Sequence, residues 1–340
     1  MTKLNITGVH KGEEHKGEFS LGSDPKLQSN GTYAKSQGGT ERMYNRLIEE
    51  LPEETTKEFQ IICSRVRELE DKKRILWLHD LWNDPEANHL KDDESLAKFT
   101  KLVFVSNYQM QTYHLGLGVP YDKGIVMKNA IDPIPGNLIN KPDPKEQINL
   151  IYHTTPHRGL ELLIPTFEHL CTLHDNLHLD VYSSFKIYGW AHRDQQYQAL
   201  IDKCKEHPKI TYHGTQPHDE VVKGLGKAHI FAFPSIWVET SCIAAIEAMS
   251  ARCITVCSNL GALPETCANF ASMYQFTEQP QTHINRFATI MNNTINMLKQ
   301  DNGWTSQLQV QKNYFDNFYN WEFRAKEWSL LLDGLKKNVA

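Results

Sequence analysis

Two glutamates, Glu239 and Glu247, stand eight positions apart in the run FPSIWVETSCIAAIEAM, residues 233–249, an otherwise nearly uncharged stretch. The residues before the first read as a short buried strand, His229–Phe233, stopped by Pro234; those after it read as a helix from about Thr240 to Ala251. A helix starting there would turn the backbone amides of Thr240, Ser241, Cys242 and Ile243, and the positive end of its dipole, toward an anion such as a diphosphate. Glu247 would lie about 10 Å further along the axis, at a distance suited to a sugar ring, with Glu239 just ahead of the helix and facing the cleft. The same spacing recurs at Glu41/Glu49, Glu50/Glu58 and Glu86/Glu94, so spacing alone carries nothing. What singles out this pair is the preceding strand, the helix start between the two residues and the apolar surroundings. A carboxylate inside an apolar helix is costly to bury alone and calls for hydroxyls or cations to receive it. The bland alternative is a partly exposed helical glutamate beside a loop glutamate.

Three further groups have the right chemistry in the right kind of place. Gly38 and Gly39 precede an amphipathic helix, Arg42–Leu51, with Thr40 as a fitting cap; two glycines let a backbone approach a phosphate closely, although such a pair is commonly just a turn. His79 ends a strand, Arg74–His79, and a histidine at the carboxyl end of a parallel strand points into the cleft, within reach of a sugar hydroxyl. Arg158 follows the strand Asn149–His153 and opens a helix, where it could clamp diphosphate oxygens and offset charge as the phosphate departs. Without an anionic partner, an arginine at a helix N-terminus is unfavourable with the dipole.

The elements that must position these groups form an alternating pattern. Strand-like runs at Leu4–Val9, Phe59–Ser64, Arg74–His79, Leu102–Ser106 and Ile125–Lys128 are separated by helix-length intervals, the pattern of a parallel sheet covered by helices. Residues 129–144, with four prolines and a glycine, break all periodicity and read as an interdomain linker. The alternation then resumes at Asn149–His153, Leu177–Tyr182, Ile210–Tyr212, His229–Phe233, Cys253–Cys257 and Ser272–Phe276. Helical periodicity covers Ile284–Leu298 and Trp321–Leu335, and the second of these carries enough apolar surface to require a partner, expected on the first domain. The expected division is 1–140, 145–315 and a closing helix in 316–340. Ligands of such paired α/β sheets bind in the cleft between strand carboxyl ends.

The 340 residues suffice for two cores. A net charge of −5 argues against broad nucleic-acid binding, and the three-residue basic run Lys72–Arg74 is ordinarily a solvated surface, which leaves peripheral membrane contact open. Seven cysteines, an odd number set in apolar runs, read as reduced core residues. Cys253 and Cys257 lack a second Cys/His pair at metal-site spacing, and His10, Glu13, Glu14 and His15 sit among lysines and glycines without a recognisable ligand spacing, so no metal is expected. The first residues show no signal-peptide core and no apolar run reaches membrane-spanning length, so the expectation is a cytoplasmic location.

Taken together, the ordered series Arg158-Gly159, Tyr188-Gly189, His213-Gly214 and the 233–249 run resembles the retaining nucleotide-sugar glycosyltransferases of the GT-B fold, family 4. The resemblance spans about Ile148 to Thr266, and more loosely Gly38-Gly39, His79, Ser106, residues 129–132 and the Trp321 helix. It implies two Rossmann-like domains facing each other across a cleft, the first binding the acceptor and the second the nucleotide sugar. By the same resemblance Glu247 would hold the donor ribose and Glu239 the donor sugar, and His79 would bond the transferred sugar. Arg158, the 240–243 backbone and Gly38-Gly39 would bind the diphosphate, and Gly189, His213 and Gly214 would belong to the donor site, with the Tyr212–Gln216 turn near the base. It implies no cofactor and no metal, since helix dipoles and basic side chains stabilise the leaving diphosphate, and a hydroxyl acceptor on a glycan or lipid-linked precursor. The sequence departs from the family pattern in a reduced first domain, with an unusual loop before Gly38, and at two further places. A second cation usual over the diphosphate is replaced near His153 or Thr154, and the glycine usual after the Glu247 helix is Arg252. Readings that keep the fold but change the role are a nucleotide-sugar epimerase or hydrolase, a phosphorolytic enzyme, a noncatalytic sugar-nucleotide or glycan-binding subunit, and a transferase acting on a modified nucleic-acid base. Nucleobase, sugar, acceptor and oligomeric state stay open.

Overall fold

The computed structural model describes residues 27–300 and 304–337. The strand expected at Leu4–Val9 and the cluster His10, Glu13, Glu14 and His15 lie outside the described residues. Within them the chain builds two parallel sheets. The first holds β1 (Phe59–Cys63), β2 (Lys73–Leu78), β3 (Lys101–Phe104) and β4 (Gly124–Val126) in sequential order. The second holds β5 (Ile148–Tyr152), β6 (Leu177–Val181), β7 (Ile210–Tyr212), β8 (Ile230–Phe233), β9 (Ile254–Ser258) and β10 (Ser272–Tyr274), in the order β10-β9-β8-β5-β6-β7. Strands β5, β8 and β9 are buried at every position, as expected of central strands covered by helices on both faces. The order of this sheet reverses direction between β5 and β8, which pair directly. A crevice therefore opens at their carboxyl ends, the place where parallel sheets bind ligands.

The last helix, Trp321–Lys337, packs on the first sheet: Trp328 is fully buried with its ring 4.9 Å from that of Trp77, among Met43, Leu47 and Leu332. Just before it, the helix Trp304–Phe318 belongs to the other core, with Phe315 buried and Gln311 donating to the carbonyls of Met249 and Cys253. The 129–144 segment is stitched down rather than loose. Ile131 bridges Asn320, the Ile134 amide donates to Ser250 Oγ, and Ala130, Ile131 and Ile134 are buried. Among the described residues no helix is long and apolar enough to cross a membrane.

Two helix starts differ from the sequence expectation. The helix expected from Thr240 begins at Ile243 and runs to Ser250, because Cys242 is still extended (φ −102°, ψ 92°) and serves as the cap. Thr240, Ser241 and Cys242 thus lie in the approach to the helix, and only Ile243 of the four lies in its first turn. Glu247 is then about 6 Å along the axis from the helix start. The helix expected at Arg42 begins at Gly39 with Gly38 as cap and no side-chain capping bond, so Thr40 is the second helical residue and not the cap. Arg252 takes the left-handed turn (φ 58°) that closes the Ile243 helix, with the Cys253 amide bonded back to Ala248 O. An arginine there costs about 1 kcal/mol relative to glycine, and a bond from its guanidinium to Gln309 Oε1 offsets part of that.

Candidate active site

The loops that leave β5 and β8 bring Arg158 and Glu239 together at the crevice. After β5 the chain makes a 3-10 turn, Pro156–Arg158, and then Gly159 at φ 126° before the helix Leu160–Leu173. A side chain at 159 would run into the carbonyl of Pro234, so glycine is what lets the two loops touch. Glu239 is only 4% exposed and its backbone carbonyl accepts from Ala262 N at 2.8 Å. Its Oε1 accepts a hydrogen bond and ion pair from Arg158 Nη1. Burial opposes the guanidinium charge, but the Glu239 carboxylate outweighs it and Arg158 holds its proton more firmly than a free arginine.

Glu247 is 3% exposed, and one cation and two imidazoles surround its carboxylate. Arg42 Nη2, from the first sheet's side of the cleft, lies 2.9 Å from Glu247 Oε1; His218 Nε2 lies 3.3 Å from the same oxygen, and His153 Nε2 is 4.0 Å from Oε2. Burial pushes the Glu247 carboxyl up, yet Arg42, followed by the two imidazoles, pulls it below the ordinary value. His153 itself is lowered to about 4, chiefly by burial, and is neutral at pH 7. His218 is also lowered by burial, so the Arg42 guanidinium supplies the charge that balances Glu247.

His79 sits across from Thr240, whose hydroxyl donates to the His79 carbonyl at 2.8 Å. Its ring lies 4.6 Å from that of Trp77 and its buried Nε2 has no hydrogen-bond partner. Burial, reinforced by the charge of Arg65, lowers it to about 3. Gly39 comes close to Ile243, and Gly38 lies against the Tyr188 ring, where a side chain would clash. The Gln37 amide donates to Ile187 O at 2.8 Å, so the Gly38-Gly39 loop is docked on the turn that ends at Gly189 (φ 79°). His213 is bound to Asp180 Oδ1 at 2.7 Å and stacked on Tyr182, and Gly214 follows at φ 65°. Neither residue has a contact to Glu239 or Glu247; the segment reaches the site through His218 instead. Ser241 makes no side-chain bond, and the Cys242 thiol is buried and raised well above its ordinary value by burial.

Sequence reasoning missed Arg42, His218 and Glu41. The first follows Gly38-Gly39 by one helical turn, a position that faces whatever the helix start faces, and this was the available signal. Glu41 is buried and ties the approach to the glycines by accepting from Tyr33 N at 3.1 Å and Ser36 Oγ at 2.8 Å. A second cross-cleft contact was also not foreseen. Glu265 accepts from the amides of Asn107 and Tyr108, each at 3.0 Å, and pairs with Lys128.

Residues 138–303, which contain every one of these second-sheet groups, match the family described as Glycosyl transferases group 1. This segment, just under half of the chain, is what resembles a glycosyl transferases group 1 domain. The chain has distant curated relatives. A phosphatidylinositol N-acetylglucosaminyltransferase subunit of Arabidopsis thaliana is 26% identical over 174 residues, which is 50% of this chain and 37% of the relative. The GPI3 subunit of the Saccharomyces cerevisiae (strain RM11-1a) enzyme of the same name is 22% identical over 213 residues, 60% of this chain and 45% of the relative. The chain thus spans less than half the length of these curated relatives. Among solved structures, a glycosyltransferase from Rickettsia africae ESF-5 superposes with a TM-score of 0.64 at 15% identity, covering 87% of this chain and 82% of that one. Anabaena HepE, solved in complex with UDP-glucose, gives 0.58 at 13% identity over 77% and 72%. At these identities the likeness establishes the fold: two parallel-sheet domains in the GT-B arrangement.

Proposed function

We propose that this glycosyltransferase moves a sugar from a nucleoside-diphosphate sugar to a hydroxyl acceptor, with retention of anomeric configuration and without a metal ion. The observation that carries the reading is the Arg158–Glu239 pair at the point where the second sheet reverses, with Glu247 on the adjoining helix. Glu239 would meet the donor sugar, Glu247 the ribose diol, and Arg158 the diphosphate, where its charge grows in importance as the phosphate departs. His79 is neutral, and its uncommitted Nε2 suits it to bond a sugar hydroxyl without adding charge. The leaving phosphate oxygen would take the acceptor hydroxyl's proton on the same face as the new C–O bond forms, which accounts for retention without a separate base. Gly38-Gly39 and the start of the Ile243 helix, which approach each other across the cleft, would supply backbone amides to the phosphates.

The names of the relatives bring phosphatidylinositol to the front as acceptor and N-acetylglucosamine as transferred sugar, with further subunits as partners. The ligand of the Anabaena structure makes UDP the first nucleotide to test. Incubated in EDTA with UDP-, GDP- and ADP-sugars, the protein is expected to release nucleoside diphosphate from one donor class. That release should rise at least tenfold on addition of a competent acceptor, with the product's anomeric configuration unchanged by NMR. Donor hydrolysis indifferent to every acceptor would point to a hydrolase, and no release from any donor would contradict the reading.

A further inference from the structure

On the function proposed above, a departing diphosphate needs more positive charge than the β5 loop provides. From His153 to Arg158 that loop carries one arginine, already paired to Glu239, and two histidines that burial keeps neutral, His153 at about 4 and His157 at about 3. We propose that the second diphosphate-binding cation comes from the opposite domain: Arg42, which exchanges its bond to Glu247 for the phosphates when the donor ribose takes its place on that carboxylate.

Three features support this. First, the helix starts at Gly39 and Ile243 face each other closely enough that a side chain on Gly39 would press on Ile243. Arg42 and Glu247 each lie about one turn inside their helices, so the guanidinium rests within a side chain's length of both helix starts, where a diphosphate would sit. Second, both bonds of Arg42, to Glu247 Oε1 and to His218 Nε2, run through Nη2 at 2.9 Å, and its side chain is 33% exposed. The fork is thus half used, which leaves the rest of the guanidinium to take a second anion. Third, Glu247 need not be abandoned when Arg42 leaves. His218 Nε2 is already 3.3 Å from the same carboxylate oxygen, accepting from Arg42 at present; once that donor departs it can take up a proton and donate to Glu247.

The arrangement makes opposite demands on two ligands that share the nucleobase and ribose. A nucleoside must displace Arg42 from Glu247 and gives nothing back, whereas a nucleoside diphosphate displaces it and then binds it. Calorimetric titration of the wild-type chain, Arg42→Gln and Arg42→Lys with uridine and UDP, or with the guanosine or adenosine pair if that base binds, separates the two. In Arg42→Gln the nucleoside should bind as well as or better than to wild type, while the diphosphate binds at least tenfold more weakly. Arg42→Lys should recover a substantial part of the diphosphate affinity. If nucleoside and diphosphate weaken together by the same factor, Arg42 only holds the domains together and the proposal fails. It fails equally if the affinity of neither ligand changes. Absence of wild-type binding to every nucleotide would remove the functional reading itself, and this inference with it. A thermal midpoint for each variant without ligand identifies loss of fold, in which case the lysine variant, which keeps the charge and the helix, decides.

Discussion

Replacing Glu239 by glutamine is expected to lower turnover by about 10²- to 10³-fold while leaving the protein folded. Replacing it by alanine should cost both activity and stability. The carboxylate is buried and its Oε1 receives the Arg158 guanidinium, itself about a fifth exposed. Glutamine keeps an oxygen in place for that donor but removes the charge that would balance an electron-poor sugar carbon. Alanine removes both and leaves a largely buried cation unpaired, which costs about 3 kcal/mol, toward the low end of the usual range because Arg158 keeps some contact with solvent. Denaturant midpoints and steady-state rates on the two variants separate the roles. Equal turnover in wild type and Glu239→Gln would show that the carboxylate charge has no part in the reaction. An unchanged midpoint in Glu239→Ala would show that the ion pair is not supporting the loops.

The second large effect is acid lability. His229 is 4% exposed; its Nδ1 lies 3.0 Å from Asn149 N, which must donate to it, and its Nε2 lies 3.0 Å from Pro142 O, to which it must donate. Both nitrogens are therefore committed to the neutral ring. A proton on Nδ1 would face an N–H. Burial, together with the charge of Lys141, lowers His229 to about 4, and burial lowers His153 to about 4 as well, from an ordinary value of 6.5. The unfolded chain binds these protons first. The stability supplied by the neutral rings is thus complete above about pH 6.5 and is lost as pH falls toward 4. At pH 5.5 the two rings together cost about 3 kcal/mol, a large fraction of a typical folding free energy. His79 and His157, both lowered to about 3, act in the same direction. Urea denaturation between pH 7.5 and 5 should show stability falling steeply below pH 6.5. His229→Gln should be less stable at pH 7.5 but show a shallower slope, by close to one proton. Flat stability down to pH 5 would mean that these rings are not held neutral.

The parts of this molecule that could be read from sequence are those encoded locally. The continuous apolar run 230–233 announced a central strand, because burial on both faces leaves no room for alternation. Glu239, Glu247 and Arg158 could be picked out because each breaks such a pattern at a strand end or in an apolar helix. Their partners could not. Arg158 and Glu239 are 81 residues apart, and Arg42 and Glu247 are 205 apart, so the pairings exist only through the topology. The helix boundaries failed for a local reason. Thr240-Ser241 has the composition of a helix start, but Thr240 spends its hydroxyl on the carbonyl of His79 in the other domain, and the chain turns helical three residues later. Thr40 likewise has a capping side chain, yet Gly38 takes the extended cap conformation one residue before the helix. Arg252 shows the reverse: the helix ends in the turn a glycine would make, held by a distant contact to Gln309 that no local rule foretells.

The central claim is that the crevice between β5 and β8 receives a nucleoside diphosphate through Glu247. It is tested most directly by titrating UDP, GDP and ADP, in EDTA, against the thermal or chemical unfolding of the wild-type chain and of Glu247→Ala. The expected result is that one nucleotide stabilises the wild type, by about 2.7 kcal/mol at a hundred times its dissociation constant, and stabilises the variant little or not at all. A wild type indifferent to all three nucleotides, or a variant stabilised as strongly as the wild type, would contradict the account.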